Sequence, residues 1–268
     1  MAAPTYLANN YNFLETAGQT DVANTITRII AQALAMGWTN PSGNIVKSPP
    51  NAVGQFIQLT FARIGATNLE MVLLDSLSRT FTRRAQPAAT FVERLYVNTQ
   101  GMMIDFDNGE GLWASILDLS PELQDAHDQF AIGNGARTVA NTLDSFYQVA
   151  GSEQLSSATP RVYTIIQFAG LFVPRGDLLS AASPQGIQSL SQPGSRLWYP
   201  WIFCGPVVGT TNRIRGRVFQ ALITDPTLPA QTEVVVPIDG ANTATFKVTA
   251  MPTGLAGTFN GKVAWRKA

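Results

Sequence analysis

Few residues in this 268-residue chain have both the type and the spacing for covalent chemistry. His127 is its only histidine and Cys204 its only cysteine. A serine or cysteine nucleophile needs a base within hydrogen-bond reach and a third group to orient that base, so any such site would have to run through His127. Its neighbours are the carboxylates between Glu122 and Asp128, which read as a solvated helix surface. Cys204 lies in an apolar run, where a thiol behaves as a small buried hydrophobe. There is no G-x-S-x-G and no phosphate-cradling Walker loop. Gly133-Asn134-Gly135 lacks the third glycine and the strand-to-helix context of a dinucleotide fingerprint. Asp105, Asp107, Asn108 and Glu110 offer oxygens that a calcium ion would take. Their spacing departs from the EF-hand order, and a hairpin turn accounts for them. No carboxylate pair stands out for glycoside hydrolysis. The expectation is a protein without catalytic residues, cofactor or metal.

Contact chemistry is better represented, in Ser195–Thr224. Trp198, Tyr199 and Trp201 surround Pro200, which fixes its own φ and has no N–H, so this segment suits a sheet edge or a loop. The rings are either core anchors or an interface hot spot, since Trp and Tyr present large area at low entropic cost. RIRGRVFQALI then reads as a strand. Arg213, Arg215 and Arg217 share a parity and would lie on one face, followed at the same parity by Phe219, Ala221 and Ile223. Either the arginine end projects beyond the core or Gly216 marks a bulge that changes the register. The three guanidinium groups are either a solvated strand end or a ladder matched to a carboxylate-bearing partner.

Composition favours contact over catalysis. Charged residues are 13% of the chain, with fourteen arginines against four lysines, and lysine and glutamate are the residues depleted at interface cores. A net charge of zero argues against bulk electrostatic binding to nucleic acid. Residues 1–130 carry −5 (twelve acidic, seven basic) and residues 131–268 carry +5 (six acidic, eleven basic). Such halves pair within one molecule or head to tail between copies, unless the scatter is chance. A single cysteine excludes an internal disulfide. MAAPTYLANN has neither the basic nor the apolar region of a secretory signal. The longest apolar runs, near Tyr163–Val173 and Leu197–Gly209, are too short for a membrane span.

The elements that must position these residues follow from periodicity. Val22, Ile26, Ile29, Ile30, Ala33 and Leu34 form an apolar helical stripe, capped by Thr20 or Asp21 and stopped at Gly37. Ile57, Leu59 and Phe61, then Leu69, Met71 and Leu73, alternate as strands, and Arg79–Arg84 suits a sheet edge or a loop. Thr90–Val97 and Met102–Phe106 flank the hairpin turn NTQG, and DNGEG turns into Leu112–Leu119. Pro121–Phe130 is a short helix with Ser120 as cap. Arg161–Phe168, Glu233–Ile238, Thr243–Thr249 and Lys262–Arg266 are further strands, while Thr138–Ala150 is open between helix and strand. The fold class is α+β and predominantly antiparallel β: an N-terminal amphipathic helix packed on a five-stranded meander, then a second β-rich, sandwich-like unit. The expected divisions are an arm at 1–19, a helix-plus-meander domain at 20–132 and a β-rich domain at 133–268, with GNGAR as boundary.

The helix ending in GWT, FARIGATNLEMVLLDS, RLWYPW, GPVVGTTNRIRGRVFQALI and FNGKV, in that order over most of the chain, resemble virion structural proteins of tailed bacteriophages found around the neck, baseplate and fibre attachments. The resemblance implies a non-enzymatic subunit in multiple symmetric copies in the tail, baseplate or collar. It would be made in the bacterial cytoplasm, with itself and other virion proteins as partners, and bind neither nucleic acid nor membrane. The alternatives are an adhesion module whose Trp198, Tyr199 and Trp201 stack on a host-surface glycan, a head decoration or cement protein, and a hydrolase with an unmarked carboxylate pair.

Overall fold

Asp21 starts the helix. Its carboxylate accepts the Ala23 N–H at 2.8 Å, α1 (Val22–Ala35) follows, and Gly37 at φ 81° turns the chain out in the left-handed region. Val22, Ile26, Ile29 and Ala33 are buried as the spacing requires. Leu34 corrects the expected stripe: one residue beyond Ala33, it has rotated off the buried face and is 48% exposed. The computed structural model describes residues 11–51, 54–65, 67–75, 78, 80–116, 130–135, 148–149, 162–168, 171–173, 197–198, 200–204, 213–217, 220–224, 228–239, 242–252 and 262–268. Among these α1 is the only helix, and all strand pairs are antiparallel.

The expected single meander is two sheets. β2 (Ile45–Lys47), β3 (Ile57–Ile64), β4 (Asn68–Asp75) and β5 (Thr80–Ala85) form a four-stranded sheet in chain order. Leu59 faces Leu73 and Phe61 faces Met71 across it, all buried. A second, six-stranded sheet has the order β1-β6-β7-β8-β9-β10, from β1 (Tyr11–Gln19), β6 (Phe91–Asn98), β7 (Gly101–Asp105), β8 (Gly111–Ile116), β9 (Phe130–Gly135) and β10 (Gln148–Val149). The two sheets and α1 share one core, in which Val22, Ile29, Leu59, Met71, Leu95, Ile104 and Leu112 belong to a single cluster. The NTQG hairpin is present: Asn98 Oδ1 accepts the N–H groups of Gln100 and Gly101, each at 2.8 Å. Gly101 is required there, because a Cβ would stand 2.7 Å from the Ala114 carbonyl oxygen.

Two expected divisions change. Residues 11–19 of the expected arm are β1, paired with β6 from Tyr11↔Asn98 to Gln19↔Phe91. The expected boundary after residue 132 falls inside β9, which pairs with β8 from Ile116↔Phe130 to Gly111↔Gly135. Residues 121–129 of the expected second helix lie outside the described residues. Of Thr138–Ala150, only β10 is described, as strand.

Two further sheets follow. β11 (Val162–Phe168), β12 (Leu171–Val173), β14 (Pro200–Cys204) and β15 (Arg213–Arg217) have the order β12-β11-β14-β15. β13 (Leu197–Trp198), β16 (Ala221–Thr224), β17 (Glu233–Asp239), β18 (Asn242–Pro252) and β19 (Lys262–Arg266) have the order β13-β16-β19-β18-β17. This last sheet covers the outer face of the six-stranded one. Trp113 and Trp265 pack with their rings tilted by 52° and centroids 5.9 Å apart, and Ser115 Oγ donates to Gln220 Oε1 at 2.7 Å. Every residue of β7 and β8 is therefore buried. An antiparallel sheet commonly keeps one face in water; at β7 and β8 neither face is wet.

Candidate functional site

The aromatic and arginine residues singled out above do not share one strand. Trp198 ends β13, opposite Ile223. Trp201 is in β14, between Ile165 and Arg217. Trp198 and Pro200 thus belong to different sheets, and Tyr199 lies outside the described residues. Pro200 opens its strand, where a missing N–H is tolerated. RIRGRVFQALI is likewise two strands in two sheets, β15 and β16, in place of one. Within β15 the register slips: Gly216 opposes Ile202 and Ile214 opposes Phe203, leaving Arg215 as the extra residue. Arg213 opposes Cys204 and Arg217 opposes Trp201, positions of opposite parity on β14. A register slip beside Gly216, one of the two alternatives the sequence allowed, thus separates Arg213 from Arg217 along β15. His127 lies outside the described residues.

A different cluster is fully assembled, between the six-stranded and five-stranded sheets. Its hub is Arg94 on β6. Nε donates to Glu15 Oε2 at 2.9 Å, and Nη1 donates to Asp107 Oδ1 at 2.7 Å and to Asp105 Oδ2 at 3.4 Å. From the five-stranded sheet, Lys247 Nζ donates to Glu15 Oε2 at 2.7 Å. Gln231 Nε2, in the turn before β17, donates to Asp107 Oδ1 at 2.9 Å. Phe13 lies under Lys247 and Lys267, whose Nζ atoms are 5.0 and 5.2 Å from the ring centroid. Arg266 covers Tyr11 at 3.9 Å. Strands from both ends of the chain thus meet over β6 and β7.

Burial sets the electrostatics of this cluster. Asp105 is fully buried, and desolvation pushes its carboxyl up to about 6, against the opposing pull of the Asp107 N–H and of Arg94. Glu15, hydrogen-bonded by Lys247 and Arg94, lies below the usual carboxylate range. For Arg94, burial pulls downward, but the Asp107 hydrogen bond and the Asp105 charge outweigh it and the guanidinium is raised. The Tyr96 hydroxyl is buried without a hydrogen-bond partner; desolvation and the Asp105 charge raise it well above the ordinary phenol. A carboxyl displaced toward neutrality is a familiar mark of acid–base sites. Here both oxygens are committed, Oδ1 to the Asp107 N–H and Oδ2 to Arg94. The cluster ties four strands and two turns together, with Asp105 enclosed at its centre.

The opposite face of β6 carries a second buried pair. Glu93, fully buried, accepts Arg28 Nε at 2.7 Å and Nη2 at 2.8 Å in a bidentate bond that fixes α1 on the sheet. Sequence reasoning passed over both pairs. The available signal was Glu93-Arg94 within the apolar run FVERLYV: consecutive opposite charges on a strand lie on opposite faces, so each needs a partner in a different layer. The acidic turn holds its hairpin through Asp107 at φ 63° and the Glu110 N–H bonded to Asn108 Oδ1 at 3.0 Å. Among the described residues no group of three His, Cys, Asp or Glu side chains is arranged to hold a metal ion, and no helix is long and apolar enough to cross a membrane.

The class the coordinates define is a β-rich α+β protein of stacked antiparallel sheets with one N-terminal helix. Neither a family model, nor a curated protein, nor a solved structure matches the chain.

Proposed function

We propose that this chain is a non-enzymatic structural subunit of a tailed bacteriophage particle, present in multiple symmetric copies in the tail, baseplate or collar. The supporting observation is how its few charges are used. Of the charged side chains buried among the described residues, Glu93 is paired with Arg28 on the helix and Arg94 with Asp105, while Lys247 crosses from the facing sheet to the more exposed Glu15. With charge at 13% of the chain, the surface is left largely to amides, hydroxyls and apolar groups, which suits a subunit covered by neighbours. The resemblance in the order of its sequence features points the same way.

An antibody against the chain, applied to intact phage from a host carrying the gene and viewed by electron microscopy, tests this reading. Label at the tail, baseplate or collar is the expected result. Label confined to the head would move the protein to the decoration alternative, and unlabelled particles would contradict a virion role.

A further inference from the structure

The sheet borders differ in how they are closed. β2, β10, β12 and β13 have three residues or fewer. β5 carries Arg83 and Arg84, and β15 carries three arginines and a bulge. β1 is broken by a register shift between Thr16 and Gln19. Shortness, charge and irregularity are the means by which edge strands avoid pairing with other chains. β17 borders its sheet as well, yet its proline and its register shift sit at the far end, at Pro237 and Asp239. Its one charge before them, Glu233, is matched by Lys267 at 2.7 Å.

The hydrogen-bond phase of this border is fixed. Val248 donates to the Thr232 carbonyl at 2.8 Å, and Lys267 donates to the Thr245 carbonyl at 2.9 Å. Even-numbered residues of β18 thus bond toward β17 and odd-numbered ones toward β19. Alternation makes Val234 and Val236 the residues hydrogen-bonded to Phe246 and Ala244. The N–H and C=O of Glu233 and Val235 point to the open side, where no strand among the described residues pairs. The Val235 side chain is 64% exposed, while Val234 and Val236 pack on the core.

We propose that β17 pairs antiparallel with β17 of a second copy of this chain, about a two-fold axis through Val235. In that register each Val235 exchanges N–H and C=O with its symmetry mate, and the two isopropyl groups lie side by side. Each Glu233 N–H meets the carbonyl of the other copy's Pro237, a position that accepts without needing to donate. Moving the axis to Glu233 would bring Gln231, at φ 72°, into the ladder, where extended backbone is required. Moving it to Pro237 would centre the ladder on a residue with no N–H. Axes through Val234 or Val236 would set Val235 against Glu233 or Pro237; only the Val235 axis pairs the exposed valine with itself, an isologous contact that a second copy supplies. The contact stands on the strand itself and does not rest on the particle reading.

Val235→Lys tests it, placing two ammonium groups side by side on the axis while sparing every β17–β18 hydrogen bond. In sedimentation velocity the wild type should run as a dimer or an even-numbered assembly. V235K should run at half that mass or less, with an unchanged far-ultraviolet dichroism spectrum. As an independent readout, Val235→Cys in a Cys204→Ser background should form a 235–235 disulfide between copies on mild oxidation. Hydrogen-bonded antiparallel pairs hold their Cα atoms about 5.5 Å apart, within disulfide reach. Equal masses for wild type and V235K, or the absence of that cross-link by mass spectrometry, would overturn the contact. An assembly of unchanged mass would do so while leaving the particle reading intact.

Discussion

Arg94 is the residue on which the packing of the two sheets turns, because one guanidinium satisfies Glu15, Asp105 and Asp107 together. Removing one partner of a buried ionic group costs about 3–5 kcal/mol, so Arg94→Met should lower stability by that order in urea unfolding. Asp105 acts in the other direction. Its folded pKa, about 6, is raised above the ordinary aspartate value of 3.8, so its favourable contribution is complete below about pH 4 and is lost as pH rises through 6. Asp105→Asn should therefore be more stable than wild type at pH 7.5, by about 2–3 kcal/mol, and the difference should vanish near pH 4. A difference independent of pH would contradict the assignment. The Tyr96 hydroxyl is buried without a partner, and an unsatisfied group of this kind costs about 1–3 kcal/mol. Tyr96→Phe should accordingly match or exceed the wild-type thermal midpoint.

At the scale of elements, β1 binds the N-terminal sequence into the fold. Deleting residues 1–19 removes Leu14 from the main core and Tyr11, Phe13 and Glu15 from the ionic layer. It should cost about 3 kcal/mol or more in burial alone; an unchanged unfolding midpoint would restore the arm reading. α1, β3 and β4 were legible in the sequence because each buries one face, so that apolar spacing and geometry coincide. β1 was not legible, because YNFLETAGQ places polar residues among its aromatics and draws its stability from layers supplied by residues far along the chain. The split of one meander into two sheets was hidden for a related reason: alternation reports which residues share a face, not which sheet a strand joins. The same limit hid the division of RIRGRVFQALI between β15 and β16, although Gly216 did announce the register slip within β15. The Arg94 cluster was partly legible, in the adjacent opposite charges of Glu93 and Arg94.

For the whole molecule, the opposite charges of the two halves meet within one chain at Lys247 and Glu15. The other described ion pairs lie within a half: Arg28–Glu93, Arg63–Asp21, Arg84–Glu70 and the Arg94 cluster in the first, Lys267–Glu233 in the second. Raising the salt concentration should cost little stability, since the Arg28–Glu93 and Arg94–Asp105 pairs are buried enough to be weakly screened and the exposed pairs contribute little. Stacked sheets matched internally by charge, with a β17 edge that no described strand pairs, support the proposal of a part joined to other parts. Light scattering on the intact chain across a rising concentration series tests this most directly. The expected result is a plateau at a discrete multiple of the 28.9 kDa chain mass. A mass that stays at 28.9 kDa at every concentration would contradict it.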